Sequence, residues 1–234
     1  MAKKSRTPAP PRKVQAPQQR KDPRRARSLP GGKWVALLVV VALAAIAAAI
    51  VAVVVARGGG NNNSSSSGAQ PASLIGLQTG PAPWNPGLDT LPDRTDAVGV
   101  HELTTEGEVL HIHQHLDLFV NGKHVAVPAG IGIYGGQFLT ELHTHDASGI
   151  MHVESPVAKN FTLGQFFGVW GVRLNSDCIG GYCQEVTPWT VYVDGQPYSG
   201  DPATLVLKPH QEIAVVIGTP PKTIPRKYKF PPNT

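Results

Sequence analysis

The sequence predicts an α+β chain: one N-terminal transmembrane helix, then a small, mostly antiparallel β domain carrying a single helix. Three observations lead there. Trp34 to Ala56 is a run of 23 residues without a charge. Beyond residue 100, short alternating segments are separated by Asn121-Gly122, Ser148-Gly149 and Asp194-Gly195, the period and punctuation of strands. Phe161 to Trp170 is the one later stretch with helical spacing.

Residues 1–33 carry eleven Lys or Arg against one acid, Asp22, among Pro and Gln with little to bury. Such a segment is expected to be a disordered basic tail. The positive-inside rule keeps it cytoplasmic, where anionic lipid attracts it. It lacks the aromatic platforms or fold that would read bases, so nucleic acid is not an expected partner. A helix over 34–56 spans roughly 34 Å, enough to cross a bilayer, and it has no polar stripe for a soluble core. The apolar run and its basic lead are both longer than those of a cleaved signal, so an uncleaved signal anchor follows. The chain is thus expected to be single-pass in the plasma membrane, its C-terminal part extracytoplasmic.

Residues 57–72, rich in Gly, Asn and Ser, read as a flexible linker with a reach of about 20 Å. Residues 73–100 read as an irregular lead-in, with Trp84 and Leu88 able to pack onto the domain. The domain is placed at 101–219 and a Pro-rich extended tail at 220–234. Residues 58–234 hold nine basic and fifteen acidic side chains, a net charge of −6. The basic balance of the whole chain therefore belongs to the tail.

In the domain, Glu108 to Val120 alternates. Leu110, Ile112, Leu116, Leu118 and Val120 take one face; His111, His113, His115, Asp117 and Phe119 take the other. Asn121-Gly122 returns the chain into His124–Val127. A second hairpin joins Leu139–His145 to Ile150–Glu154 through residues 146–149, a register that sets His143 opposite His152. Thr162 caps the helix, with Leu163, Phe166, Phe167 and Trp170 on its spacing. Strands are expected at Trp189–Val193, Thr204–Leu207 and Glu212–Ile217. Cys178 and Cys183, around two glycines, suit one short structural disulfide in an oxidising compartment.

Six of the nine histidines fall in these alternating runs: His111, His113 and His115, then His143 and His145, then His152. On a strand each pair aims its rings to one side. Imidazole is the commonest metal ligand, and nitrogens at about 2.0–2.1 Å with a carboxylate make a zinc or copper site. The six histidines are the candidate ligands, with Asp117, Asp146 and Glu154 as candidate oxygen donors. Met151 alternates away from His152. His101, His124 and His210 lie outside the pattern.

The stretches His111-Ile112-His113-Gln114-His115, Leu142-His143-Thr144-His145-Asp146 and Met151-His152-Val153-Glu154-Ser155-Pro156 resemble an uncharacterised family of bacterial single-span membrane proteins. The likeness covers roughly residues 101–219. It implies an exported His-rich domain and carries no activity. Trp189–Gly195 with Leu207–Ile213 is similar to the closing strands of β-grasp domains; an Ig-like sandwich is the alternative architecture for this strand count.

Enzyme signatures are missing. No acid follows His113-Gln114-His115 at cupin spacing, since residues 119 and 120 are Phe and Val, and neither a His-Glu-x-x-His helix nor a Gly-x-Ser-x-Gly elbow occurs. The expectation is an extracytoplasmic copper- or zinc-binding protein. An interaction or pH-sensing ectodomain, with an unidentified extracytoplasmic protein as partner, is the second reading. A metal-dependent hydrolase or oxidase is the third.

Overall fold

The computed structural model describes residues 70, 71, 73–232 and 234. The basic tail, the apolar run at 34–56 and most of the linker lie outside these residues. Among the described residues no helix is long and apolar enough to cross a membrane.

In chain order the elements are helix α1 (Leu91–Val98), then strands β1 (Glu102–Leu103), β2 (Leu110–Val120), β3 (Lys123–Val125), β4 (Ile133–Tyr134), β5 (Phe138–Thr140), β6 (Leu142–His143) and β7 (Ile150–Ser155). Helix α2 (Leu163–Trp170) follows, then β8 (Cys178–Ile179), β9 (Tyr182–Cys183), β10 (Trp189–Val193) and β11 (Gln196–Pro197). A 3₁₀ turn at Pro202–Thr204 precedes β12 (Glu212–Ile217). Among the described residues the fold is mixed α+β, with mostly antiparallel pairing and two α-helices rather than the single one expected.

The main sheet runs β11-β10-β12-β2-β7-β6, with β3 also on β2. Long β2 is flanked by β7 along His115 and the residues before it, and by parallel β12 from His115 onward. The expected hairpin turns occur: Asn121 and Gly122 both take positive φ, as do Asp194 and Gly195, the geometry that matches strand twist.

Three expectations are corrected. The lead-in contains α1, with Pro92 in its first turn and left-handed Gly99 at its end, and Leu74, Trp84 and Leu91 are buried in the core. The strand expected over Leu139–His145 breaks at Glu141, so β5 joins β1 and β4 while β6 joins β7. Buried Glu141 accepts from Ser155 Oγ (2.6 Å), Lys159 Nζ (2.7 Å) and the His101 amide (2.9 Å), which pins the break. Thr204–Leu207 is not a strand. Asp201 caps the 3₁₀ turn there, and the Leu205 carbonyl and Leu207 amide bond Leu163 N (2.8 Å) and Phe161 O (2.9 Å) at the entry to α2.

Helix α2 begins with a full capping box between Thr162 and Gln165, which satisfies two orphan amides reciprocally. Its Leu163, Phe166, Phe167 and Trp170 share one core with Leu116 and Leu118 of β2, Met151 and Val153 of β7, and Ile213 and Val215 of β12. The alternation of β2 therefore leaves its histidines on the face away from that core. Gly168 lets α1 approach, since a Cβ there would stand 2.6 Å from Val98 Cγ1. Arg94, 1% exposed, donates Nε to the Gly168 carbonyl (2.9 Å) and Nη2 to that of Val169 (3.0 Å). It thus satisfies the Val169 carbonyl at the end of α2 and adds a second donor to that of Gly168, which the Gly171 amide also reaches at 3.1 Å. Cys178 and Cys183 are disulfide-bonded across the β8–β9 hairpin; so short a closed loop contributes about 2 kcal/mol on the chain-entropy model.

Candidate metal centre

Strand register builds the site. In the β2–β7 ladder His113 stands opposite His152, and in the β6–β7 ladder His143 also stands opposite His152. Three histidines therefore form a row across three neighbouring strands, on one face. The next row on β2 and β7 sets His111 opposite Glu154. His145, just past the end of β6, turns its Nε2 to 3.2 Å from His143 Nε2.

The atoms approach as metal ligands do. His113 Nε2 lies 3.1 Å from His152 Nδ1, and that nitrogen 2.9 Å from Glu154 Oε1. Glu154 Oε1 is also 3.3 Å from His111 Nε2 and 3.8 Å from His143 Nε2. Donors on a tetrahedral ion with 2.0–2.1 Å bonds are separated by about 3.3 Å. The donors form two sets, each mutually within 4.8 Å: His111, His113, His152 and Glu154; and His143, His145, His152 and Glu154.

Tautomers favour ligation. His143 Nδ1 donates to the Thr140 carbonyl at 2.8 Å; a carbonyl only accepts, so in the neutral ring the lone pair sits on Nε2, facing the cluster. Outer hydrogen bonds of this kind orient metal-binding histidines generally. The floor is dry and the rim open: the side chains of His143 and Glu154 are 0% and 1% exposed, those of His111 and His145 44% and 43%.

Burial first, then the neighbouring charge of His152 and His111, pushes His113 down to about 4. Burial likewise pushes His143 to about 4 against the opposing pull of Glu154. Both imidazoles are neutral at pH 7. Burial alone would raise Glu154, but the His152 hydrogen bond and the nearby His143 and His111 outweigh it and hold the carboxyl below its usual range. Glu154 Oε2 is buried with no hydrogen-bond partner among the described residues. A buried anionic oxygen left unpaired is costly and calls for a cation.

An acid dependence follows for the metal-free chain. Folded His113 and His143 titrate near 4, against the ordinary 6.5, so between those values the unfolded chain binds more protons. Their contribution is complete above pH 6.5 and is lost as pH falls toward 4. The loss is on the order of 3 kcal/mol for fully buried His143. Denaturant melts across that range are expected to show the decline, and His143→Gln to flatten it; a flat wild-type profile would refute the assignment.

Three candidates lie elsewhere. His115 does not join the other five, because β2–β7 pairing sets it opposite Ile150 and parallel pairing sets it opposite Glu212. Its Nδ1 shares a hydrogen bond with Glu212 Oε2 (2.9 Å) and its Nε2 donates to the Ser148 carbonyl (2.9 Å). Burial opposes the charge, but the Glu212 hydrogen bond and charge prevail and raise its pKa. Tyr228 stacks on the ring at 3.7 Å. His115, Asp117 and Glu212 form a compact trio of their own; because the Ser148 carbonyl only accepts, His115 Nε2 carries a proton there and offers no lone pair to an ion. Asp117 also accepts from His124 at 3.1 Å. Asp146 is exposed and its Oδ1 caps the Ser148 amide (2.8 Å). The sequence reading missed Glu212 and Glu106, whose Oε1 is 3.5 Å from His145 Nε2. Glu212 is brought in by a parallel pairing no local pattern signals; Glu106 sits in an irregular stretch.

No family model, curated protein or solved structure matches the chain. The site must therefore speak through its chemistry: five imidazoles and one carboxylate in two overlapping groups, each with donors that suit a borderline or soft divalent ion.

Proposed function

We propose that the protein is a membrane-anchored extracytoplasmic transition-metal-binding protein, holding copper or zinc on His111, His113, His143, His145, His152 and Glu154. The observation that carries this reading is the buried Glu154 carboxylate among five imidazoles, its second oxygen unpartnered. The uncharged 34–56 run after a basic tail supports the anchor, and the Cys178–Cys183 disulfide supports an oxidising compartment. The main sheet supports a β-grasp-like domain over an Ig-like sandwich: α2 connects β7 to β10, and β2 and β12 run parallel at its centre.

The test is thermal melting of the detergent-purified chain with Zn²⁺, Cu²⁺ or chelator. Metal at a thousandfold over its dissociation constant is expected to stabilise by about 4 kcal/mol, and chelator to reverse it. No shift with either metal would remove the proposal. Acid unfolding near the titration of the buried histidines, without any response to metal, would instead favour a pH-sensing ectodomain.

A further inference from the structure

We infer that the cluster is a dinuclear centre, in which the Glu154 carboxylate bridges one ion on His111 and His113 to a second on His143 and His145. This rests on the metal-binding reading above and adds number and geometry to it.

Reach is the first argument. Two donors sharing an ion with 2.0–2.1 Å bonds are at most about 4.2 Å apart. The His111–His113 pair and the His143–His145 pair do not enter one mutually close set; only His152 and Glu154 belong to both. One ion therefore cannot take all the nitrogens as they stand, while two ions can.

Position is the second. Glu154 Oε1 stands between the pairs, 3.3 Å from His111 Nε2 and 3.8 Å from His143 Nε2, and Oε2 is buried with no hydrogen-bond partner. Oε1 is the oxygen that approaches both pairs, and one carboxylate oxygen shared at about 2.0–2.2 Å by two ions admits the roughly 3.5–4 Å typical of paired ions.

Donor count is the third. A neutral imidazole has one free lone pair, so His152 serves one ion. Its Nδ1 lies 3.1 Å from His113 Nε2 and 2.9 Å from Glu154 Oε1, which assigns it to the β2 side, as the tautomer that carries its proton on Nε2. The first ion then has His111, His113, His152 and Glu154, a closed four-coordinate shell. The second has His143, His145 and Glu154, three protein donors with a fourth position left for water or an anionic oxygen ligand, the pattern of a reactive rather than a structural site. His145 is 43% exposed at that edge, so the open position faces solvent.

The experiment is metal analysis and copper spin resonance on the full-length chain, loaded with Zn²⁺ or Cu²⁺ and freed of excess. Two ions per chain are expected, with the isolated-copper signal strongly reduced by coupling between neighbours. The double variant His111→Ala/His113→Ala is expected to keep one ion and regain the full uncoupled signal; His143→Ala/His145→Ala is expected to do the same from the other side. One ion per wild-type chain would overturn the dinuclear centre and leave the metal-binding reading intact. Two ions with full uncoupled signals would overturn the Glu154 bridge. None would overturn both. The wild-type count stands whether or not the buried His143 variant folds.

Discussion

Replacing His152 with alanine is expected to lower metal affinity by more than about 100-fold, the largest loss for any single histidine. Its strand lies between the two that carry the other histidines, with His113 opposite on one side and His143 on the other. It belongs to both donor sets, and its Nδ1 holds Glu154 at 2.9 Å. The substitution thus removes a ligand and frees the carboxylate at once. Loss of an outer-shell contact alone commonly weakens metal binding 10–100-fold, so a lost ligand sets the larger figure. Competition against a chromophoric chelator measures it, with far-ultraviolet dichroism as the folding control. A folded variant within tenfold of wild type would show that His152 is not a ligand.

The second large effect is structural. Arg94→Met is expected to destabilise the domain by about 3 kcal/mol or more. Methionine fills much of the volume but donates nothing, so the Gly168 and Val169 carbonyls and Thr90 Oγ1 lose the bonds recorded at 2.9, 3.0 and 2.6 Å. The Gly168 carbonyl keeps the Gly171 amide, but the Val169 carbonyl is left unpaired at about 1–3 kcal/mol, and each further bond lost to the charged guanidinium is worth about 1.5–3 kcal/mol. Chemical denaturation in the presence of chelator reads this without the metal. A change below about 0.5 kcal/mol would mean that water replaces the guanidinium at the end of α2.

Much of the sheet was legible because alternation and turn chemistry are local. Leu110–Val120 shows its two faces in its own residues, Asn121-Gly122 names its turn, and a four-residue connection is enough to set His143 against His152. The capping box of α2 was half visible in Thr162. What escaped depends on distant parts of the chain. Glu212 reaches His115 across 97 positions, through a parallel pairing that only the assembled sheet creates. That same pairing claims His115 as a hydrogen-bond partner of Glu212, although in sequence it is indistinguishable from His111 and His113. Helix α1 was hidden because Pro92 reads as a breaker, whereas proline suits the first helical turn. Thr204–Leu207 reads as a short apolar strand, but its backbone groups are taken by the entry to α2.

The central claim is that imidazoles from β2, the β6 segment and β7 bind transition metal around Glu154. X-ray absorption at the metal edge of the loaded full-length chain tests it most directly. The expected spectrum shows three or more first-shell donors at about 2.0–2.1 Å with the multiple-scattering pattern of imidazole. A shell of oxygen alone, without ring scattering, would contradict the account.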